Sequence, residues 1–364
     1  MNRVMILVGA RPNLMKAAAI LEAMAGYSQF TTRLVHTGQH YDDEMYKIFF
    51  QELRLPQPDV YLGVGTFSPL QQMGRILMAL EPELIEWKPD LFVVVGDVNS
   101  TVMGALAANK VGVPLAHVEA GLRSFDRQMP EEFNRILTDH LADFLFTTSR
   151  DADDNLLQEG IPIERIFFVG NVMVDTLLRF RAVAHNRAEW QEYNLSPGGY
   201  ALLTLHRPSN VDDTASLKQM VNLLADIDAR LPVIFPIHPR TRARLQDSGL
   251  MARLEGLPNL ITTPPLGYLA FVSLMSEARL VLTDSGGIQE ETTVLGIPCL
   301  TLRENTERPV TIHEGTNRLV GTNRDKILAV LDELLSSPLS QSGQIPELWD
   351  GRAAQRIVEI LVSV

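Results

Sequence analysis

Unbroken apolar, β-branched runs recur along this 364-residue chain, and most lead into a stretch of helical spacing. The first set is Val4–Val8, Arg33–His36, Leu91–Val95, Leu115–Val118, Phe144–Thr147 and Ile166–Val169. The second is Tyr200–Leu205, Val233–Ile237, Leu260–Thr262, Leu280–Thr283 and Cys299–Leu302. A strand that is apolar at successive positions has no wet face, so these runs suit parallel sheets covered by helices on both sides. Leu14–Met24, Leu70–Ile85, Thr101–Lys110, Glu131–Leu141 and Asp212–Ile227 supply helical covers. Strand, helix, strand, run through twice, predicts an α/β chain of two doubly wound, Rossmann-like domains facing a cleft. The boundary is expected near Gly170-Asn171, with a first domain over 1–170 and a second over 171–349. Asn186–Gly199 reads as a loop into the second sheet, and a terminal helix within 350–364, at Ala353–Leu361, is expected to pack back on the first domain.

Charge and cysteine usage narrow the function. Asp+Glu outnumber Lys+Arg by 44 to 32, a net charge of −12. That balance repels a phosphate backbone and argues against nucleic acid as a partner, while leaving room for a local basic pocket. Cys299 is the only cysteine, which excludes internal disulfides, cysteine-based zinc sites and CxxC redox chemistry. No apolar run approaches the ~18–20 residues of a bilayer span, so no membrane partner is expected. The apolar N-terminal run meets Arg11-Pro12 in place of a small-residue cleavage site and reads as a first buried strand. These features predict a cytoplasmic enzyme.

In doubly wound sheets, ligands bind at the carboxyl ends of strands, so the residues after each run carry the chemistry. The first run ends in Gly9-Ala10-Arg11-Pro12-Asn13, with Lys16 one turn into the next helix. A glycine allowing close backbone approach, followed by two cations at a helix start, suits an anionic ligand. The third run ends in Gly96-Asp97-Val98-Asn99-Ser100-Thr101. The fourth ends in His117-Val118-Glu119-Ala120-Gly121-Leu122-Arg123-Ser124. There Glu119 is a carboxylate at the end of an apolar strand, costly unless it is paired or functional. Pro130-Glu131-Glu132-Phe133-Asn134-Arg135 then opens a helix. Its Glu131 and Arg135 share one face, and Phe133, Leu137 and Leu141 are expected on the buried one. An i,i+4 surface pair is worth little by itself, whereas carboxylates in neighbouring turns can act as acid and base.

In the second half, His206-Arg207-Pro208-Ser209-Asn210 leaves one strand and His238 occupies the equivalent place one unit later. A histidine there can contact a phosphate or move a proton. The strongest signal is Leu282-Thr283-Asp284-Ser285-Gly286-Gly287-Ile288-Gln289-Glu290-Glu291, where a helix begins at once after an apolar strand. Backbone N–H groups at Ser285, Gly286 and Gly287, with little side chain in the way, can cradle a diphosphate at the positive end of that helix. Glu291, one turn on, is placed to accept hydrogen bonds from ribose hydroxyls, and the stretch from Arg303 to Arg308 adds cations. A P-loop lysine pattern is absent, which argues against an ATPase. A diphosphate on the second domain, with carboxylates and cations on the first, implies nucleotide-sugar chemistry and resembles the GT-B architecture.

These blocks closely resemble the non-hydrolysing UDP-N-acetylglucosamine 2-epimerases. The matching pieces are Gly9-Ala10-Arg11-Pro12 with Lys16, Thr37-Gly38-Gln39-His40, Gly96-Asp97, His117 through Arg123, Pro130-Glu131-Glu132 with Asn134-Arg135, His206-Arg207, Asp284-Ser285-Gly286-Gly287 with Glu290-Glu291, and Thr306-Glu307-Arg308-Pro309. The resemblance implies an isomerase that inverts carbon 2 of a UDP-sugar without NAD or metal, by elimination and re-addition of UDP. It implies Asp97, Glu119 and Glu131 as catalytic carboxylates and His206 as a phosphate-contacting or proton-handling partner. Substrate contacts would come from Arg11, Lys16, Arg135, Phe271 (near the uracil), Ser285, Gly286, Gly287, Glu291 and Arg308. It also implies a homodimer serving cell-envelope polysaccharide synthesis.

Three departures bear on substrate and regulation. A Gln-His-x-Gln allosteric motif of some members reads Gln39-His40-Tyr41-Asp42 here. A His-Arg-x-Glu-Asn pattern reads His206-Arg207-Pro208-Ser209-Asn210, and Leu266 stands where many members keep a glutamine. These changes also resemble relatives acting on UDP-2,3-diacetamido-glucuronic acid. Further alternatives are a hydrolysing relative, a GT-B glycosyltransferase and a catalytically silent UDP-sugar-binding protein.

Overall fold

The computed structural model describes residues 2–39, 43–338 and 343–363, without the side chains of 43–47. The chain divides into two compact units, Met1–Arg179 with Glu347–Val364, and Phe180–Pro346.

Among the described residues the first unit holds seven strands: β1 (Arg3–Val8), β2 (Thr31–His36), β3 (Val60–Tyr61), β4 (Leu91–Val95), β5 (Leu115–Ala120), β6 (Phe144–Thr147) and β7 (Ile166–Phe168). They pair in parallel in the order β3-β2-β1-β4-β5-β6-β7. The second unit holds β8 (Ala201–Thr204), β9 (Val233–Pro236), β10 (Leu260–Thr263), β11 (Leu280–Thr283), β12 (Cys299–Thr301) and β13 (Asn317–Leu319), parallel in the order β10-β9-β8-β11-β12-β13. Both are doubly wound sheets, as the run pattern predicts. The central strands β4, β5, β9 and β11 are buried at every position, so all of their side chains leave water, at about 1.5–3 kcal/mol for each large aliphatic one. The first core gathers Met5, Leu7, Phe92, Val94 and Leu145 against Leu80, Leu84 and Leu156 from helices. The second gathers Leu203, Phe235, Leu282 and Leu300 against Leu224, Ile227 and Leu331.

The edge strands β3 and β13 have two and three residues, too short to register as apolar runs. The expected loop before β8 contains a 3₁₀ turn, Glu189–Tyr193, which buries Trp190. Helix Val172–Arg187 carries the chain out of the first unit, so the division falls inside a helix, C-terminal to Gly170-Asn171. The terminal helix Ala353–Ser363 belongs to the first unit and buries Ala354, Ile357, Val358 and Leu361. Asp175 caps it by accepting the Ala353 and Ala354 N–H groups at 3.1 and 2.7 Å. Among the described residues no helix is long and apolar enough to cross a membrane.

In each unit the winding reverses once, at β1/β4 and at β8/β11. Loops leave these neighbouring strands in opposite directions and open a crevice at their carboxyl ends. The singled-out segments Gly9–Asn13 and Gly96–Asp97 border the first reversal, and His206–Asn210 and Asp284–Gly287 border the second.

Candidate active site

At the first reversal the loop after β1 is already satisfied internally. Asn13 accepts the N–H groups of Gly9 and Ala10 at 3.1 and 3.0 Å and donates to Val95 O at 2.9 Å. A β-carbon at Gly9 would collide with the side chain of Ser100. The glycine therefore makes room for Ser100, which corrects the expectation that it exposes backbone to an anion. Arg11 lies over the Phe49 ring, 5.2 Å from its centroid. Lys16 is buried and ion-paired with Glu119.

Glu119 is one of five described non-glycine residues of this unit with a positive φ, with Arg54, Lys88, Phe125 and Leu348, and its φ is the largest. It is non-glycine with φ 76°, buried, and sits where the β5–β6 register shifts between Val118 and Ala120. Backbone strain of that kind costs roughly 1–3 kcal/mol and concentrates at functional positions. The bulge turns the Glu119 carboxylate towards Lys16 and the Gly96 backbone, where a β-carbon on Gly96 would lie 2.8 Å from Lys16 Nζ and 3.3 Å from Glu119 Oε2.

Helix Pro130–Leu141 overturns one expectation. Phe133 and Leu137 are exposed at 41% and 52%, while Glu132, Asn134, Arg135, Thr138 and Asp139 are buried. The polar face is the inner one because it meets charged and backbone partners there. Arg135 donates to Asp97 at 2.6 Å and to Glu132 at 2.5 Å, so it is no surface partner of Glu131. Glu132 in turn accepts the Ser124 and Phe125 N–H groups at 2.9 and 2.8 Å. Burial acts to raise its pKa, but Arg135 and Ser124 win and hold the carboxyl below its usual range. Glu131 stands half-buried in the first turn of the same helix. Asp97 is 29% exposed and Arg135 only 1%; the structure thus brings Asp97 and Arg135 together, and separately Lys16 and Glu119.

Below these carboxylates lies a second buried layer. Asp139 faces His117 Nδ1 at 2.6 Å, accepts the Gly121 N–H at 3.1 Å and pairs with Arg123 at 2.7 Å. Burial works against its charge, but His117 and Arg123 keep the carboxyl below the usual range.

At the second reversal Asp284 organises the turn. It accepts the N–H groups of His206 and Arg207 and the Asn210 amide, and its Oδ1 lies 2.8 Å from His206 Nδ1. Burial opposes the Asp284 charge, yet these donors hold its pKa down. His206 is 40% exposed, with its ring 5.7 Å from that of His238. Helix Gly286–Leu295 begins directly after Ser285, so the first N–H groups have no intrahelical acceptor and carry the positive end of the helix dipole. A β-carbon on Gly286 would run into Arg308 Nη1 and Glu307 Oε1; the missing side chain brings the Arg308 guanidinium against the helix start. Arg308 is fixed by Glu290 at 2.7 Å and Glu307 at 2.5 Å. Burial alone would neutralise Glu307, but Arg308, Arg303 and Arg207 hold it well below the carboxylate range.

Glu291 differs from its neighbours. It is buried, accepts the Tyr268 hydroxyl at 3.0 Å, and burial pushes its pKa up to about 8. Tyr268 and the half-buried Phe271 lie on one helix, Tyr268–Ser276. His40, Tyr41 and Asp42 lie outside the described residues; Gln39 is buried and accepts the Ser100 hydroxyl at 2.6 Å. Among the described residues, no group of three or more His, Cys, Asp or Glu converges as a metal site.

Sequence reasoning passed over Asn13, Glu132, Asp139 and Tyr268 as partners. The available signal was the spacing of Glu132, Arg135 and Asp139, a polar stripe at helical period that becomes legible as an inner face only once Asp97 and His117 are known to meet it.

Two doubly wound units with charged loops at their winding reversals place the chain in the GT-B-like class of α/β enzymes. Residues 22–362 match the UDP-N-acetylglucosamine 2-epimerase family, and the chain belongs to that family. It is 42% identical to a UDP-N-acetylglucosamine 2-epimerase of Methanocaldococcus jannaschii, over 98% of each chain. It is 40% identical to a UDP-2,3-diacetamido-2,3-dideoxy-D-glucuronate 2-epimerase of Pseudomonas aeruginosa, over the full length of both. The crystal structure of the Methanocaldococcus jannaschii UDP-GlcNAc 2-epimerase in complex with UDP-GlcNAc and UDP aligns with a TM-score of 0.94 over all of each chain.

Proposed function

We propose that this chain interconverts UDP-N-acetylglucosamine and UDP-N-acetylmannosamine by elimination and re-addition of UDP. The observation that carries the reading is Glu119, a buried carboxylate held in a strained left-handed conformation at the winding reversal. Strain retained at such a position goes with a precise placement of the side chain.

In the proposed course one carboxylate takes the proton from carbon 2 of the sugar. The carbon 1–oxygen bond breaks with its electron pair leaving on UDP, giving a 2-acetamidoglucal. UDP oxygen then re-adds to carbon 1 while carbon 2 is reprotonated on its other face. Removal and return on opposite faces need two groups, and Asp97, Glu119 and Glu131 are the candidates. Charge developing on the departing diphosphate would be stabilised by Arg308 and by the N-terminus of helix Gly286–Leu295, with Ser285, Gly286 and Gly287 as the cradle. Asp284 would orient His206 towards the same phosphates. Glu291 and Phe271 would meet the ribose and uracil, and Arg11 and Lys16 would add cations. The chemistry proposed asks for neither NAD nor metal.

A second reading keeps the mechanism and changes the sugar to the 2,3-diacetamido-glucuronate. It is favoured by the nearly equal identity to relatives of both kinds and by Ser209 and Leu266. A cytoplasmic homodimer is part of the proposal. Leu70 and Met78, exposed at 81% and 78%, and Ile85, Phe133 and Leu137 supply apolar surface for self-association, which sedimentation equilibrium would read as twice the chain mass.

Proton NMR of the enzyme with UDP-N-acetylglucosamine in D2O tests the reading. A UDP-N-acetylmannosamine signal carrying deuterium at carbon 2 is expected. Turnover of the diacetamido-uronate alone moves the specificity, bulk release of free UDP and sugar indicates hydrolysis, and silence with both substrates overturns the proposal.

A further inference from the structure

We infer that Asp139 is a positioning residue whose single carboxylate brackets the arc 117–121 and thereby holds Glu119 in its left-handed conformation. His117 stands two residues before Glu119 and Gly121 two residues after. Asp139 Oδ1 faces His117 Nδ1 at 2.6 Å, and Oδ2 accepts the Gly121 N–H at 3.1 Å. Both ends of the arc are thus fastened to one side chain, and the residue between them carries φ 76°. A non-glycine residue in that region persists only where its surroundings over-determine it. The neighbouring bonds do the same work: Asn155 donates to Gly121 O at 3.0 Å, and the Gly96 N–H donates to Val118 O at 3.0 Å.

The bracket reaches Asp97 as well. His117 Nε2 lies 2.8 Å from Gly96 O, the carbonyl of the peptide that leads into Asp97. Asp139 sits on helix Pro130–Leu141 four residues beyond Arg135, which grips the Asp97 side chain. One helix therefore sets both carboxylates, gripping Asp97 by its side chain and Glu119 by its backbone. Arg123 pairs with Asp139 at 2.7 Å and is itself held by Glu159 at 2.7 Å, so the bracket is anchored at its base. Asp139 and His117 are fully buried. A buried charged cluster is a poor source of stability compared with apolar packing, and its geometry here serves the arc above it.

The inference rests on the epimerase reading for its kinetic arm only. Asp139→Asn leaves one acceptor oxygen for three partners, His117 Nδ1, the Gly121 N–H and Arg123, and puts an N–H against at least one of them. The expected result is a kcat lower by about a hundredfold, the scale of a misplacement near 1 Å, with UDP affinity by calorimetry within twofold. Hydrogen exchange should show the Gly121 amide protected in the parent enzyme and released in the variant. His117→Gln, which keeps a donor for Gly96 O and loosens the Asp139 link, is expected to lower kcat by about tenfold, and it carries the test if Asp139→Asn does not fold. Leu84→Ala, in the same core but outside the hydrogen bonds that hold the arc, should lower Tm while kcat per folded molecule stays at the parent value. An Asp139→Asn enzyme with unchanged kcat, unchanged Gly121 protection, or a kcat loss matched by Leu84→Ala overturns the inference. If the parent enzyme turns over neither sugar, the activity reading fails and the exchange measurement still decides whether the bracket exists.

Discussion

The reversals at β1/β4 and β8/β11 share one winding pattern and handle charge in opposite ways. At the first, a buried Glu119 on a bulge and a partly exposed Asp97 in a loop are each matched to one cation, Glu119 to Lys16 and Asp97 to Arg135. At the second, carboxylates are tucked underneath and cations or N–H groups come forward. Glu290 and Glu307 hold Arg308, Asp284 holds His206, and the start of helix Gly286–Leu295 stands beside them. The topology provides a crevice; under the proposed function, the residues at the end of each strand decide whether the crevice handles protons or phosphate. A glycine after β4 and a strained glutamate at the end of β5 make one kind of candidate site, and a serine with two glycines after β11 makes the other.

That contrast can be broken most severely at Glu119. Glu119→Gln should lower turnover by more than about a thousandfold, within the range lost with a general acid or base, while UDP affinity stays within a few-fold by calorimetry. Turnover near the parent rate would remove Glu119 from the chemistry. A smaller effect of the opposite kind is expected at Gly286. Gly286→Val drives a side chain into Arg308 and Glu307, so UDP affinity should fall by roughly tenfold or more, on the scale of 1.4 kcal/mol per decade; affinity equal to the parent's would place the diphosphate elsewhere.

The last prediction concerns stability. Glu291 has a folded pKa of about 8, above its value in an unfolded chain, so the native state holds a proton that the unfolded state has released. Stability therefore declines as pH rises from about 4.5 to 8, by at most about 1.4 kcal/mol per pH unit for one group. Glu291→Gln should flatten that part of the Tm-against-pH curve; an unaltered slope would show that Glu291 is ionised in the folded protein.

The fold was legible because its central strands are apolar at successive positions, a pattern that parallel burial demands and that survives in one sequence. Edge strands β3 and β13 were not, since two or three residues carry no pattern. The local structure of the candidate site was legible where backbone chemistry is written in residue type, as at the helix start after Ser285 or the turn at Gly96-Asp97. It failed on helix Pro130–Leu141, where Phe133 and Leu137 mark an outer face and Glu132, Arg135 and Asp139 an inner one. Amphipathicity tells which face is apolar. Which face is buried depends on what lies opposite, and here that is charge.

The first unit is built from two stretches separated by the whole of the second. Helix Ala353–Ser363 is capped by Asp175, and the Trp349 indole donates to Thr148 O at 2.8 Å. During synthesis the second unit, continuous from Phe180 to Pro346, can close its core as soon as it clears the ribosome. The first unit, although translated earlier, must wait for its closing helix, so the half that carries the carboxylates is expected to be the last to become fully native.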